Sequence, residues 1–213
     1  MLLPCGKLTN NMFTLISIAI LIMSVVIHEL AHGFAANALG DPTARLSGRL
    51  TLNPVAHLDP VGSIIVPLVT SLFGFTFGWA KPVPYNPYNL KNKRTGEFLI
   101  AAAGPASNLL IALIFGTFIR FAAASAGAIT PFVEIASYIV IINIVLAVFN
   151  LIPLPPLDGS KLLFALLPNQ YGRARLVLET YAPVFVLVAV FFLWQLVSPI
   201  IPVVFKLFTG IGF

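Results

Sequence analysis

A His-Glu-x-x-His pattern at residues 28–32 is the part of this sequence whose residue types and spacing could support catalysis. His28 and His32 are four positions apart, so in a helix both imidazoles project from one face and can ligate the same metal ion. Glu29 lies about 100° around that helix, where its carboxylate can reach a water molecule beside the ion. The pattern therefore predicts a metal site for hydrolysis. The alternative interpretation is a polar cluster packed between helices.

A catalytic zinc site needs a third protein ligand and an open position. Of the seven acidic residues, only Asp158 ends an apolar stretch inside a dense local pattern, Asn150-Leu-Ile-Pro-Leu-Pro-Pro-Leu-Asp158-Gly159. The prolines break a helix and free backbone carbonyls, which lipid tolerates only where the backbone is buried or lines water. Asp158 is therefore the predicted third ligand. The alternative is an aspartate that only caps the next helix.

These motifs resemble the site-2 proteases, intramembrane zinc metalloproteases of the peptidase M50 type. The segment Ala103-Gly104-Pro105-Ala106-Ser107-Asn108 resembles the small-residue motif of that family. Residues 78–84 resemble a loop of its compact prokaryotic branch, which lacks PDZ and CBS domains. The resemblance covers about residues 20–165 and implies an intramembrane endopeptidase that cuts transmembrane protein or peptide substrates.

The resemblance also implies roles for individual residues. It implies three zinc ligands: His28, His32 and Asp158. Glu29 would act as the general base on water. Independently of the resemblance, the oxyanion of the reaction needs a hydrogen-bond donor, and Asn150 and Asn108 are the candidates, since a neutral amide adds no charge to the site. Interhelical hydrogen bonding is the alternative role for each asparagine.

Two other functions are compatible with these residues. One is a metal transporter that uses the His and Asp side chains as a translocation site. The other is a catalytically silent relative that binds a metal ion and membrane partners. Glu29 next to His28 argues against the transporter, and the intact set of motif residues argues against the silent relative.

The composition places these residues in a membrane protein. Of the 213 residues, 59% are hydrophobic and only 9% are charged, which excludes an ordinary soluble domain. The net charge of +5 indicates membrane orientation and lipid headgroup contact, and no nucleic-acid partner is expected. A single cysteine, Cys5, excludes an intramolecular disulfide.

The elements that must position the motifs are five apolar stretches, at 12–38, 61–79, 98–122, 131–154 and 182–205. They predict an all-α polytopic membrane protein, a single domain over 1–213, with four full transmembrane helices. Basic residues flank 61–79 on both sides, so we expect this stretch to be re-entrant. The same charge bias puts the active site on the cytoplasmic side, and the resemblance to the compact prokaryotic branch implies that the membrane is a prokaryotic inner membrane.

Polar and apolar residues alternate from Arg45 to Leu52, which predicts a short β-hairpin near 44–53. Together with Lys81–Tyr85, this stretch could offer an edge to which an extended substrate adds. His57 is not a predicted metal ligand; it either contacts substrate at the entrance or pairs with Asp59 in the interfacial loop. Lys161 is either a partner of Asp158 or, as we expect, a cytoplasmic anchor that extends to the membrane surface.

Overall fold

Long helices dominate the fold, which is described here from a computed structural model. The structure describes residues 5–72, 80–126, 131–168, 172–182, 185, 192 and 194–212. The α-helices in chain order are α1 (Cys5–Ala38), α2 (Thr43–Leu46), α3 (Val66–Ser71), α4 (Lys93–Ala126), α5 (Pro131–Asn150), α6 (Asp158–Leu166), α7 (Gly172–Thr180), α8 (Trp194–Val197) and α9 (Ile200–Thr209). The structure also has two 3₁₀ turns (Pro54–His57 and Pro87–Asn89) and a π-helical turn (Val61–Ile65).

Three of these helices contain segments long and apolar enough to cross a membrane, namely Met12–Ala38, Lys93–Ala122 and Phe132–Asn150. They match the predicted apolar stretches at 12–38, 98–122 and 131–154. The prediction of an all-helical membrane protein is thereby confirmed. The predicted count of four full transmembrane helices stays a prediction, because much of 182–205 lies outside the described residues and Ile200–Thr209 is a shorter apolar helix.

Helix α4 is central to the bundle and packs against α1, α5, α6 and α9. The main apolar core lies between α4, α5 and α9, and it includes Ala112, Ile119, Val140, Ile144, Ile201 and Phe205. On α4, Gly116 provides a close approach, since a Cβ there would lie 2.7 Å from Phe208 Cβ. This packing fixes the helices that carry the sequence motifs relative to one another.

The connection between α5 and α6 brings Asp158 back to the bundle. Helix α5 ends at Asn150 as the proline-rich segment begins, because proline cannot continue a helical hydrogen-bond ladder. The chain then folds back so tightly that a Cβ at Gly159 would overlap the carbonyl groups of Leu151 and Ile152. Glycine at this position therefore permits the reversal that begins α6 at Asp158.

The predicted β-hairpin near 44–53 is wrong, because the described residues contain no strand. Thr43–Leu46 is one turn of helix, begun by hydrogen bonds from the Thr43 N–H and hydroxyl to Asp41. Gly48 ends it with a left-handed φ of +67°, while the N–H of Arg49 donates to the carbonyl of Ala44. This is a glycine helix stop, in which the left-handed residue closes the turn. The edge predicted over Arg45–Leu52 is withdrawn with the hairpin.

Within the stretch at 61–79 the chain is helical from Val61 to Ser71, and Leu72 is a turn residue. Residues 73–79 lie outside the described residues, so the re-entrant path stays a prediction. The two ends of the connection between α1 and α4 lie close together. Asp41, after α1, accepts a hydrogen bond from the side chain of Asn89, before α4, over 2.7 Å. Helix α1 therefore ends, and α4 begins, at the same end of the bundle.

Candidate metal centre

The two histidines of the motif lie on one face of α1, in the half of the helix that leads to Ala38. His28 is ten residues before Ala38, which corresponds to a depth of about 15 Å along the helix axis. Both histidines are buried, with 6% and 8% of their surface exposed. The imidazoles therefore lie within an apolar span, where ionisable side chains usually mark a functional site.

Asp158 reaches both imidazoles from α6. Its Oδ2 atom lies 3.0 Å from His28 Nε2 and 3.0 Å from His32 Nε2, and the two Nε2 atoms are 3.1 Å apart. The structure thus brings together the three residues that the sequence predicts as ligands, although 130 residues separate His28 from Asp158.

The outer nitrogens of the two rings determine what this triangle can bind. His32 Nδ1 lies 2.6 Å from the Ile100 carbonyl oxygen, and His28 Nδ1 lies 3.3 Å from Asn108 Oδ1. Both oxygens can only accept, so both Nδ1 atoms donate, and the two Nε2 atoms are the ring nitrogens that face Asp158. Three lone-pair atoms this close need a proton or a cation among them.

The donor set fits zinc. Two imidazole nitrogens and one carboxylate oxygen are a common catalytic zinc set, and each histidine is held from behind by an oxygen acceptor. Bonds of about 2.0–2.2 Å to a tetrahedral ion place neighbouring ligand atoms about 3.4 Å apart, close to the spacing of this triangle. Glu29 completes the cluster, since one ligand atom from each of His28, Glu29 and His32 lies within 4.8 Å of the others.

Space for the rings is provided by Gly104 on α4. A Cβ at this position would overlap His32 Nε2 and would lie 2.6 Å from His28 Cε1. The small-residue motif around Gly104 therefore makes room for both imidazoles. Sequence analysis singled out this motif without assigning it that role, because small residues in an apolar helix usually indicate only close helix packing.

Glu29 is positioned by a backbone group that sequence analysis did not identify. The N–H of Val83 donates to Glu29 Oε2 over 2.8 Å. The approach of Val83 to α1 depends on Gly33, where a Cβ would lie 2.9 Å from Val83 Cγ1 and 2.5 Å from Leu50 Cδ2. Gly33 is one turn after Glu29, so both contacts occur on the same part of α1.

Two further hydrogen bonds hold the segment that carries Val83 in place. The N–H of Lys81 donates to the His57 carbonyl over 2.8 Å, and the N–H of Asn86 donates to Asp41 Oδ2 over 2.6 Å. Burial raises the pKa of Asp41, but hydrogen bonds from Thr43, Asn89 and Asn86 lower it more, so the net pKa lies below the usual range. Asp41 is therefore a buried, ionised carboxylate that holds the segment against the end of α1.

A cavity of about 330 Å³ opens at the cluster. It is lined by His28, Glu29, His32, Asp158, Asn150, Lys161, Tyr85 and apolar residues that include Val25, Leu146 and Phe149. Burial raises the pKa of Asp158, but its contacts with the two imidazoles and the Lys161 ammonium lower it more. The carboxylate stays ionised, as a metal ligand must be.

The two predicted oxyanion donors occupy different positions. Asn150 lines the cavity, and its Nδ2 donates to the Leu146 carbonyl over 3.0 Å. Asn108 is fully buried, with Oδ1 facing His28 Nδ1, and its Nδ2 has no partner among the described residues. Asn150 can thus face a substrate, whereas the contact of Asn108 orients an imidazole.

His57 and Lys161 also have defined contacts. His57 is 2% exposed, and its Nε2 lies 2.9 Å from the Thr51 carbonyl oxygen, so the ring braces the loop and does not join the cluster. The ammonium of Lys161 lies 3.4 Å from Asp158 Oδ1. Burial lowers the pKa of Lys161, but the Asp158 charge raises it more, so the side chain is a cation that contacts a predicted ligand.

Comparison with known proteins gives a consistent set of matches. The model of peptidase family M50 matches residues 115–196. The predicted zinc metalloprotease YwhC of Bacillus subtilis is 37% identical over 203 residues, which cover 90% of each chain. The predicted zinc metalloprotease Rip2 of Mycolicibacterium smegmatis is 31% identical over 72% of this chain and 58% of its own length. Zinc metalloprotease MJ0392 of Methanocaldococcus jannaschii is 24% identical over 79% of this chain and 39% of its own. No solved structure gives a significant match.

Proposed function

The chain belongs to peptidase family M50 and is a zinc metalloendopeptidase of the site-2 protease type, and from this premise we propose how its residues carry out the reaction. His28, His32 and Asp158 hold the zinc ion, and Glu29 is the general base. The observation that supports this assignment is the convergence of two Nε2 atoms and one carboxylate oxygen within 3.0–3.1 Å beside Glu29. Neither the transporter nor the silent relative is favoured by the comparisons.

When bound, zinc supplies a Lewis acid that polarises the scissile carbonyl and lowers the pKa of a water molecule to about 7. Glu29 accepts the proton of that water and transfers it to the nitrogen of the leaving peptide. The Val83 N–H holds Glu29 Oε2 during this transfer, which leaves Oε1 as the atom that carries the proton. Asn150 donates its free amide hydrogen to the carbonyl oxygen as negative charge develops there.

The depth of the site supports a membrane-embedded substrate. The histidines lie inside the span Met12–Ala38, and Leu146 and Phe149 add apolar walls from the end of α5. An unwound transmembrane segment, or its boundary with water, can enter such a cavity. The apolar walls keep the charged side chains of the site out of contact with lipid. Lys81–Tyr85 borders the cavity and could pair with the substrate backbone, although the N–H groups of Lys81 and Val83 already donate within the protein.

We place the active site near the cytoplasmic face of a prokaryotic inner membrane. The end of the bundle where α1 ends and α4 begins carries Arg45, Lys91, Lys93 and Arg94. Short loops rich in Lys and Arg collect on the cytoplasmic side. Because α1 ends and α4 begins at this same end of the bundle, the chain between them starts and finishes on one side. This also supports the re-entrant path for 61–79.

The test combines metal content with cleavage in liposomes. The probe is a fluorescent single-span peptide with a helix-breaking Asn-Pro pair near its cytoplasmic boundary. We expect wild type to hold about one zinc per chain and to cleave the peptide. Glu29→Gln should keep the zinc and lose cleavage, and Asp158→Ala should lose both. Cleavage by Glu29→Gln at the wild-type rate would refute the general base, and full zinc content in Asp158→Ala would refute the ligand set.

A further inference from the structure

The two oxygens of Asp158 have different partners. Oδ2 lies 3.0 Å from both imidazole Nε2 atoms. The Lys161 ammonium lies 3.4 Å from the other oxygen, Oδ1. Lys161 is three residues after Asp158, about one turn along α6, so the contact follows from the helix itself.

We propose that Lys161 is a positioning residue of the metal centre, which occupies Oδ1 so that Asp158 ligates zinc through Oδ2 alone. The inference rests on the ligand set of the proposed function. Its consequence is an open coordination position, since a carboxylate that ligates through both oxygens would take up the space that water and substrate need. Lys161 thereby controls both the affinity of the site for zinc and its open coordination position.

Asp158 needs such a partner because its own helix does little to orient it. It is the first residue of α6 after the cap residue Leu157, and no side-chain hydrogen bond caps the helix. The Asp158 side chain is only 8% exposed, so water offers little competition for the lone pairs of its carboxylate. A hydrogen bond between an ammonium and a carboxylate is stronger than a neutral one, and ligands are commonly held by such outer partners.

Lys161 is itself held over an aromatic ring. Its Nζ lies 5.9 Å from the centre of the Tyr85 ring, within the range of a cation–π contact. Tyr85 belongs to the segment that Asp41 and Glu29 hold against α1. The Lys161 ammonium therefore lies between the Tyr85 ring and the Asp158 carboxylate. Among the described residues that line the cavity, Lys161 is the single Lys or Arg.

The alternative is the membrane anchor expected from the sequence, in which Lys161 extends towards the surface and has no effect on the metal. The chain offers a matched control for this alternative. Lys93 also lies over a tyrosine, with Nζ 5.0 Å from the centre of the Tyr88 ring, but it does not line the cavity. An anchoring role predicts the same result for both lysines.

The experiment compares Lys161→Met, Lys161→Arg and Lys93→Met with wild type and Asp158→Ala in detergent. Zinc affinity is measured by competition with a chromophoric chelator, and thermal unfolding of the metal-free proteins checks the fold. We expect Lys161→Met to bind zinc about 10–100-fold more weakly. Lys161→Arg should restore most of the affinity, and Lys93→Met should match wild type. Should Lys161→Met fail to fold, Lys161→Gln takes its place.

Cobalt substitution tests the coordination directly. A carboxylate freed to ligate through both oxygens raises the coordination number, so the visible absorption of the cobalt form should weaken in Lys161→Met and return in Lys161→Arg. Wild-type zinc affinity and an unchanged cobalt spectrum in Lys161→Met would overturn the inference, while zinc loss in Asp158→Ala would leave the proposed ligand set standing. Full zinc binding by Asp158→Ala would overturn both.

Discussion

The backbone N–H of Val83 donates to Glu29 Oε2 over 2.8 Å, which joins the proposed general base to a loop 54 residues further along the chain. Because Pro82 and Pro84 flank Val83 and have no N–H, Val83 is the one donor of this tripeptide. A side-chain substitution leaves the N–H in place, whereas proline removes it. The contribution of this single hydrogen bond can therefore be measured.

We expect Val83→Pro to lower turnover by up to about 100-fold, because a displaced base no longer meets the proton at the right distance. Val83→Ala is the control, since it keeps the N–H and loses only side-chain contacts. Turnover of the single-span peptide and zinc content are measured for both. Equal rates for Val83→Pro and Val83→Ala would show that this hydrogen bond does not position Glu29.

We expect Gly104→Ala to abolish zinc binding. Its Cβ would overlap the imidazole of His32 and crowd His28, so the two Nε2 atoms could not keep their spacing. Gly116→Ala is the control on the same helix, because its Cβ crowds Phe208 at a distance from the metal centre. We expect zinc loss only in Gly104→Ala, read by elemental analysis, and a lower unfolding temperature in both. Retention of zinc in Gly104→Ala would mean that α4 can shift to admit the methyl group.

Asp41→Asn should destabilise the protein, because a buried carboxylate that accepts four hydrogen bonds is replaced by a group that places an NH₂ against one of the donors. An unsatisfied buried group costs about 1–3 kcal/mol, and each kcal/mol lowers the unfolding temperature of a chain this long by about 2–4 °C. Asp59→Asn is the control, since Asp59 accepts from the backbone N–H groups of Val61 and Gly62 in a partly exposed loop. Similar unfolding temperatures for the two variants would contradict a special role for Asp41.

The contribution of Asp41 should also depend on pH. Its pKa is lower in the folded protein than in the unfolded chain, so the unfolded state binds the proton more readily. The stabilisation is therefore complete above about pH 5 and is lost as the pH falls below about 4 towards the folded pKa. The difference in unfolding temperature between wild type and Asp41→Asn should shrink over that interval. A constant difference from pH 7 to pH 3 would show that ionisation of Asp41 does not contribute.

Metal removal should lower the unfolding temperature of wild type, because an ion that binds only the folded state stabilises it by mass action. At a free zinc concentration about 100 times the dissociation constant the gain is about 2.7 kcal/mol. Asp158→Ala should show no such response to a chelator. If wild type and Asp158→Ala respond equally, zinc binds elsewhere in the chain.

Several features could be predicted from the sequence because their causes are local. The spacing of His28 and His32 fixes their common helix face, since the helical repeat alone decides which side chains align. Long apolar stretches predict membrane helices because their length and composition match the bilayer interior. The prolines before Asp158 predict the break after α5 because proline cannot continue a helix. The wrong hairpin shows the limit of this approach. Alternating polarity from Arg45 to Leu52 fits a strand, but Asp41 and Gly48 close a helical turn there.

Only the tertiary structure decided which groups meet across the helices. The contacts of Asp158 with the imidazoles, of Val83 with Glu29 and of Ile100 with His32 join segments that are 54 to 130 residues apart. Two of these partners are backbone groups, which every residue carries and no side-chain pattern can mark. Their positions depend on how closely the helices approach, and Gly104 sets that distance at the metal centre. The sequence alone determined the candidate ligands, and the packing of α1, α4 and α6 determined that they converge.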